Sequence, residues 1–112
     1  MEPMTKVYLT DDEHQKFFGE GPYRLFKAVE ETGSLRAAAI SMDMAYSKAM
    51  KLLKHAEEAM GVTLIIRSTG GKAGGGSRLT VEGKELLQKY ESFQRKCEQA
   101  NRRIYLEIFC DQ

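Results

Sequence analysis

The sequence predicts a mainly α-helical domain with one small β-hairpin and a long closing helix. Three observations predict it. Apolar residues recur at three- and four-residue spacing through residues 21–61, with Gly33 and Gly61 breaking the run. A β-branched stretch, VTLIIRST, and a second short one, SRLT, flank a glycine-rich tip. A final apolar stripe then runs from Leu86 to Ile104. At 112 residues the chain has the length of one domain, divided here into 1–20, 21–61, 62–80 and 81–112.

The elements follow in order. Residues 4–10, MTKVYLT, alternate weakly and are read as a short strand, and DDEHQKFFGEG as a loop or a single helical turn. Pro22 suits the first position of a helix, where its missing N–H costs nothing. Leu25, Phe26 and Val29 form that helix's apolar face, and Gly33 ends it. Ser34 caps a second helix with Leu35, Ala38, Ala39 and Met42 facing inward. A third helix runs from about Ala45 to Met60, its inner face lined by Met44, Ala49, Leu53, Ala56 and Met60. The two strands of residues 62–80 make a hairpin. Thr80 caps the last helix, where Glu82 complements the dipole.

A short helix, a tight turn and a longer basic helix make the helix-turn-helix pattern, and the hairpin after it completes a winged version. The fourth helix carries Leu86, Tyr90, Phe93, Cys97, Ala100 and Ile104 at alternating four- and three-residue steps, an a/d seam. A helix of about 25 residues is ~38 Å long and outreaches a domain of this size. Those six residues are therefore expected to line a homodimer interface, as against packing wholly across their own domain.

Composition bounds the function classes. The chain is 42% hydrophobic and 29% charged, which is a globular rather than a disordered balance. No apolar run approaches a membrane span, and the N-terminus lacks a signal segment, so a cytoplasmic location is expected. Cys97 and Cys110 share no metal or redox spacing and are expected to be reduced thiols. His14 and His55 are far apart with no ligand cluster, so no metal or other cofactor is expected. No nucleophile elbow, HExxH motif or triad is present, so no enzymatic activity is expected.

The net charge of +1 conceals a local excess: residues 62–80 carry Arg67, Lys72 and Arg78 and no acid. The third helix carries Lys48, Lys51 and Lys54, with no acid between Asp43 and Glu57. Alone, such a helix is a solvated lysine face. As the second helix of a helix-turn-helix it is a candidate for the DNA major groove, with Tyr46 and Ser47 in its first turn. Lys48 and Lys51 fit either base edges or phosphates, and the sequence does not separate the two. GGKAGGGS lacks the spacing of a phosphate-binding loop and lies between strands. It is either a plain hairpin tip or a wing whose backbone and cations approach DNA. Ser34 and Arg36 stand where a helix cap can also meet a phosphate.

The stretch from "ETGSLRAAAISMDMAYSKAMKLL" through "RSTGGKAGGGSRLTVEG" resembles the N-terminal winged helix-turn-helix DNA-binding domain of the ModE-type, molybdate-responsive regulators, and more distantly the LysR-type winged helix. The likeness covers roughly residues 20–90. It implies a dimeric transcription factor that binds double-stranded DNA. Met50 stands where that family often has a large aromatic, and Ala45 where it often has Ser, so operator sequence is not carried over. The family's oxyanion-binding domains normally follow this one, and molybdate binding is not expected of the present chain. The alternative from a different class is a dimerising protein-interaction module that keeps the winged-helix shape without binding DNA.

Overall fold

The computed structural model describes residues 1–68 and 76–110. Phe18 is at the centre of the core, fully buried, with edge-on contacts to Phe26 and Tyr90 at centroid distances of 5.3 Å each. Three elements meet on that one ring. The chain runs β1 (Leu9–Thr10), β2 (Lys16–Phe18), α1 (Glu20–Thr32), α2 (Leu35–Ser41), α3 (Tyr46–Met60), β3 (Ile65–Arg67), β4 (Ser77–Leu79) and α4 (Val81–Phe109). The strands form two antiparallel pairs, β1–β2 and β3–β4. No helix among the described residues is long and apolar enough to cross a membrane.

The N-terminal segment departs from expectation. The expected strand over residues 4–10 shrinks to Leu9–Thr10, and the expected loop contains its partner, Lys16–Phe18. The turn between them has no glycine. Asp11 makes it instead, its Oδ1 accepting the N–H groups of Glu13 and Gln15 at 2.9 Å each, while His14 takes the left-handed backbone (φ 64°). Residues 1–8 are held along α4 by side chains of that helix. The Tyr90 hydroxyl donates to the Val7 carbonyl (2.8 Å), the Asn101 amide to the Thr5 hydroxyl, and the Tyr105 hydroxyl to the Met1 carbonyl (3.0 Å).

The helices follow the expected plan with one shift. α1 starts at Glu20, so Pro22 is its third residue, still among the positions whose N–H has no helical partner. Gly33 and Gly61 close α1 and α3 in the left-handed region (φ 73° and 71°), where a side chain would be strained. Ser34 caps α2 by accepting the Ala37 N–H (3.0 Å), and Thr80 caps α4 by accepting that of Gly83 (3.0 Å). Between α2 and α3, Asp43 takes positive φ (56°) and the Met44 N–H returns to the Ala39 carbonyl (2.9 Å), which makes the tight turn.

Leu25, Phe26, Val29, Leu35, Ala38, Ala39, Ala49, Leu53 and Ala56 all lie in the core as expected, with Met44 half-buried and Met60 exposed. The fourth-helix stripe divides. Leu86 and Tyr90 are 6% and 2% exposed, packed into the chain's own core, so they offer almost no surface to a second chain. From residue 91 to 109 no side chain of α4 is buried. At 29 residues this helix is about 44 Å long. It stretches the chain to 63 Å along its long axis, with a radius of gyration of 16.8 Å; a compact chain of this length has about 13 Å.

Candidate nucleic-acid interface

α3 is packed on three sides and open on the fourth. Ala49, Leu53 and Ala56 face the core. On one flank the Glu57 carboxylate accepts the N–H groups of Leu64 (2.8 Å) and Ile65 (3.3 Å), which ties the helix to the start of β3. On the other flank the His55 imidazole contacts Asp11 Oδ2 at 3.3 Å, which ties it to the β1–β2 turn. The Asp11 carboxyl is held below the usual carboxylate range, first by the Gln15 N–H and also by His55 and the Glu13 N–H, against some desolvation.

The open side carries Ser47, Lys51 and Lys54, all exposed and one or two turns apart opposite the core stripe. Lys48 is exposed on the flank it shares with His55, two turns earlier. The ion pairs among the described residues are Lys27–Glu30, Lys27–Glu91 and His55–Asp11. None of Arg36, Lys48, Lys51, Lys54, Arg67 or Arg78 is paired with a carboxylate there. One carboxylate, the exposed Glu58 one turn after Lys54, shares this face, and the cations around it still leave a net positive surface that attracts a polyanion.

The wing is fastened to the helix-turn-helix through its backbone. The Ser77 N–H donates to the Gly33 carbonyl (2.7 Å), and the Ser77 hydroxyl accepts the Leu35 N–H (3.1 Å). Ser77 thus joins β4 to the start of α2. No local pattern in the sequence marks it, because its partners are more than forty residues away.

Three of the expected site residues converge. The Arg36 guanidinium lies over the Tyr46 ring, 4.4 Å from its centroid, and Arg67 Nη1 donates to the Tyr46 hydroxyl at 3.2 Å. One side chain each from α2, α3 and β3 therefore meets at the first turn of α3. Tyr46 is half-buried, with its face and its oxygen both engaged by arginines. Ser34 has its hydroxyl oxygen engaged in the α2 cap.

Arg78 is not brought to this group. It sits opposite Ile66 in the β3–β4 ladder, whereas Arg67 sits opposite Ser77, and alternation sends the two arginines to opposite faces. Lys72 lies outside the described residues. The distal fourth-helix residues Phe93 and Ile104 are 45% and 47% exposed, with Cys97 and Ala100 half-buried beside them. Ile108, 70% exposed, extends the same stripe by one further four-residue step.

Among curated proteins, the chain is 39% identical over 82 residues to the molybdenum transport protein ModE of Herbaspirillum seropedicae, covering 73% of this chain and 29% of that one. It is 34% identical over 97 residues to the transcriptional regulator ModE of Haemophilus influenzae, covering 86% and 38%. The chain thus spans about a third of the length of these relatives. Among solved structures, the CbnR DNA-binding domain in a DNA complex matches with a TM-score of 0.60 at 23% identity, covering 78% of this chain and 94% of that one, a likeness of fold. ArgP from Mycobacterium tuberculosis matches with a TM-score of 0.55 at 25% identity, covering 72% and 28%. The family described as bacterial regulatory helix-turn-helix protein, lysR family, matches residues 22–84, from the start of α1 through the wing to the first turn of α4. That match takes in more than half of the chain, with both helices of the helix-turn-helix and their caps inside it, and the chain belongs to that family.

Proposed function

We propose that this chain is a DNA-binding transcriptional regulator, with no catalytic role, that grips a duplex through α3 and the wing. The observation that carries it is the open face of α3: Ser47, Lys51 and Lys54 outward, Lys48 on the flank, Arg36 and Arg67 at the first turn, and no carboxylate paired with these cations among the described residues. A helix so placed presents its N-terminal turns to the major groove, while cations beside it hold phosphates. The names of its relatives, a transcriptional regulator and a DNA-binding domain solved on DNA, support the same reading.

Titration of a random-sequence duplex tests it. Binding at low salt that weakens steeply as salt rises is the expected result, because neutralised phosphates release counterions. Protein that stays free at low salt would favour the interaction-module alternative.

The working unit is proposed to be a homodimer in the cytoplasm, the whole of residues 1–112 acting as one domain. Phe93, Cys97, Ala100, Ile104 and Ile108 form an apolar stripe on the part of α4 that lacks buried side chains. A second copy of α4 covers such a stripe by coiled-coil packing. Residues 1–8 lie along the neighbouring face of the helix, held by Tyr90, Asn101 and Tyr105, and so leave the stripe as the open seam. Two subunits would then set their α3 helices about 34 Å apart, one turn of DNA. Ile104→Asp puts a charge into the middle of that seam. Sedimentation should show wild-type dimer and mutant monomer at the same concentration; a mutant that stays dimeric would place the interface elsewhere.

A further inference from the structure

Arg36 and Arg67 come from different elements and meet on one phenol, Arg36 over the ring of Tyr46 and Arg67 on its oxygen. Neither has a carboxylate partner among the described residues. Holding two like charges on one small group is unfavourable by itself. Arg36 is also placed in the first turn of α2, where the helix dipole disfavours a cation. Arrangements of this kind become favourable when an anion sits between the cations, and the planar guanidinium fork matches a phosphate's oxygens. Tyr46 is the first residue of α3, the same turn that the proposed function lays against DNA.

We propose that Arg36 and Arg67 clamp a single phosphate of the DNA backbone, and that Tyr46 is the positioning residue that holds both guanidiniums for it. The inference rests on the DNA-binding reading above. It also changes the part played by Tyr46. Rather than reading a base edge, the tyrosine joins the helix-turn-helix to the wing, so that one phosphate engages both elements. The clamp is indifferent to base sequence and fixes the register at which Lys51 and Lys54 enter the groove.

The test is a double-mutant cycle on the full chain, measuring affinity for a random-sequence duplex across a salt series, with thermal melting as a check on folding. Arg36→Ala and Arg67→Ala are each expected to weaken binding severalfold. Because they share one phosphate, the double variant should lose less than the product of the two losses, and its salt slope should fall by about 0.9 rather than about 1.8. Tyr46→Phe keeps the ring and removes the hydroxyl. It should weaken wild-type binding about threefold, as loss of one exposed hydrogen bond does, and change nothing when Arg67 is already Ala. Tyr46→Leu should weaken binding further in the wild type and have no effect when both arginines are gone. Losses that multiply, with a slope change of about 1.8, mean two separate phosphates and overturn the clamp. A Tyr46 effect that persists without the arginines also overturns it. Inorganic phosphate exchanged for chloride at equal ionic strength should leave the duplex bound; displacement that depends on both arginines would make this a free-anion site and not a backbone contact. Wild-type protein that binds no duplex overturns the DNA reading itself, and the clamp with it.

Discussion

Gly83→Ala is expected to destabilise the chain by about 2 kcal/mol net, an overpacking cost near the upper end of the usual range, about 3 kcal/mol, less a smaller gain in helix propensity. A Cβ at this position would stand 2.3 Å from the Leu64 carbonyl oxygen, 3.2 Å from its carbon and 3.4 Å from Leu79 Cβ. The neighbour is backbone, and it is already committed. The Leu64 carbonyl accepts the Thr80 N–H (3.0 Å) and the Thr80 hydroxyl (3.2 Å), while the Leu64 N–H donates to Glu57. Movement of this segment, just ahead of β3, therefore disturbs the cap of α4 and the tie to α3 together. Alanine gains roughly 1 kcal/mol of helix propensity over glycine, which offsets part of the clash. A net loss of about 2 kcal/mol lowers Tm by roughly 10 °C in a domain of this size. Melting at fixed protein concentration checks it, since association also shifts Tm. A Gly83→Ala melt at or above the wild-type temperature would mean that the close approach of α4 to Leu64 is not required.

Replacing Lys48, Lys51 and Lys54 together with Gln is expected to lower affinity for random duplex about a hundredfold near physiological salt, and to flatten the salt slope by about 2.7, if each lysine neutralises one phosphate. All three are exposed and make no ion pair among the described residues, so stability should change little. That separation makes the variant informative: binding falls while folding stays. The contribution divides further if one lysine reads a base, since its removal then costs affinity on particular sequences without a matching change in slope. A triple variant with the wild-type slope would take the face of α3 out of the contact.

Most of the fold was legible because its signals are local. Gly33, Ser34, Gly61 and Thr80 each act on backbone groups within three or four residues, and each lies where its chemistry predicts. The β1–β2 pair leaves no local signal because its turn is built from an Asp11 side chain and a left-handed His14 rather than from glycine. Phe17 and Phe18 consequently read as loop, although Phe18 is a keystone of the core. In the sequence the a/d stripe is one unbroken seam. Its period is continuous, yet tertiary contact divides it, with Leu86 and Tyr90 serving the core and the residues after Tyr90 left open. Period alone cannot mark that boundary.

The site was legible as a set of cations and illegible as an arrangement. Composition picked out Arg36, Lys48, Lys51, Lys54 and Arg67. Their spatial relations come from long-range links: Ser77 to Gly33 and Leu35, Glu57 to Leu64, and Arg67 to Tyr46. The same register that brings Arg67 to α3 turns Arg78 away, a distinction of one residue in strand phase.

One face, built from α2, α3 and the wing, is proposed to receive the duplex. Amide chemical shifts followed during titration with a random-sequence duplex test it most directly. Perturbations are expected to concentrate at Ser34–Arg36, along the Tyr46–Lys54 stretch of α3, and at Arg67 and Ser77, with the β1–β2 turn and the distal half of α4 unchanged. Perturbations centred on the Asp11 turn or on Phe93–Ile108, with α3 silent, would contradict it.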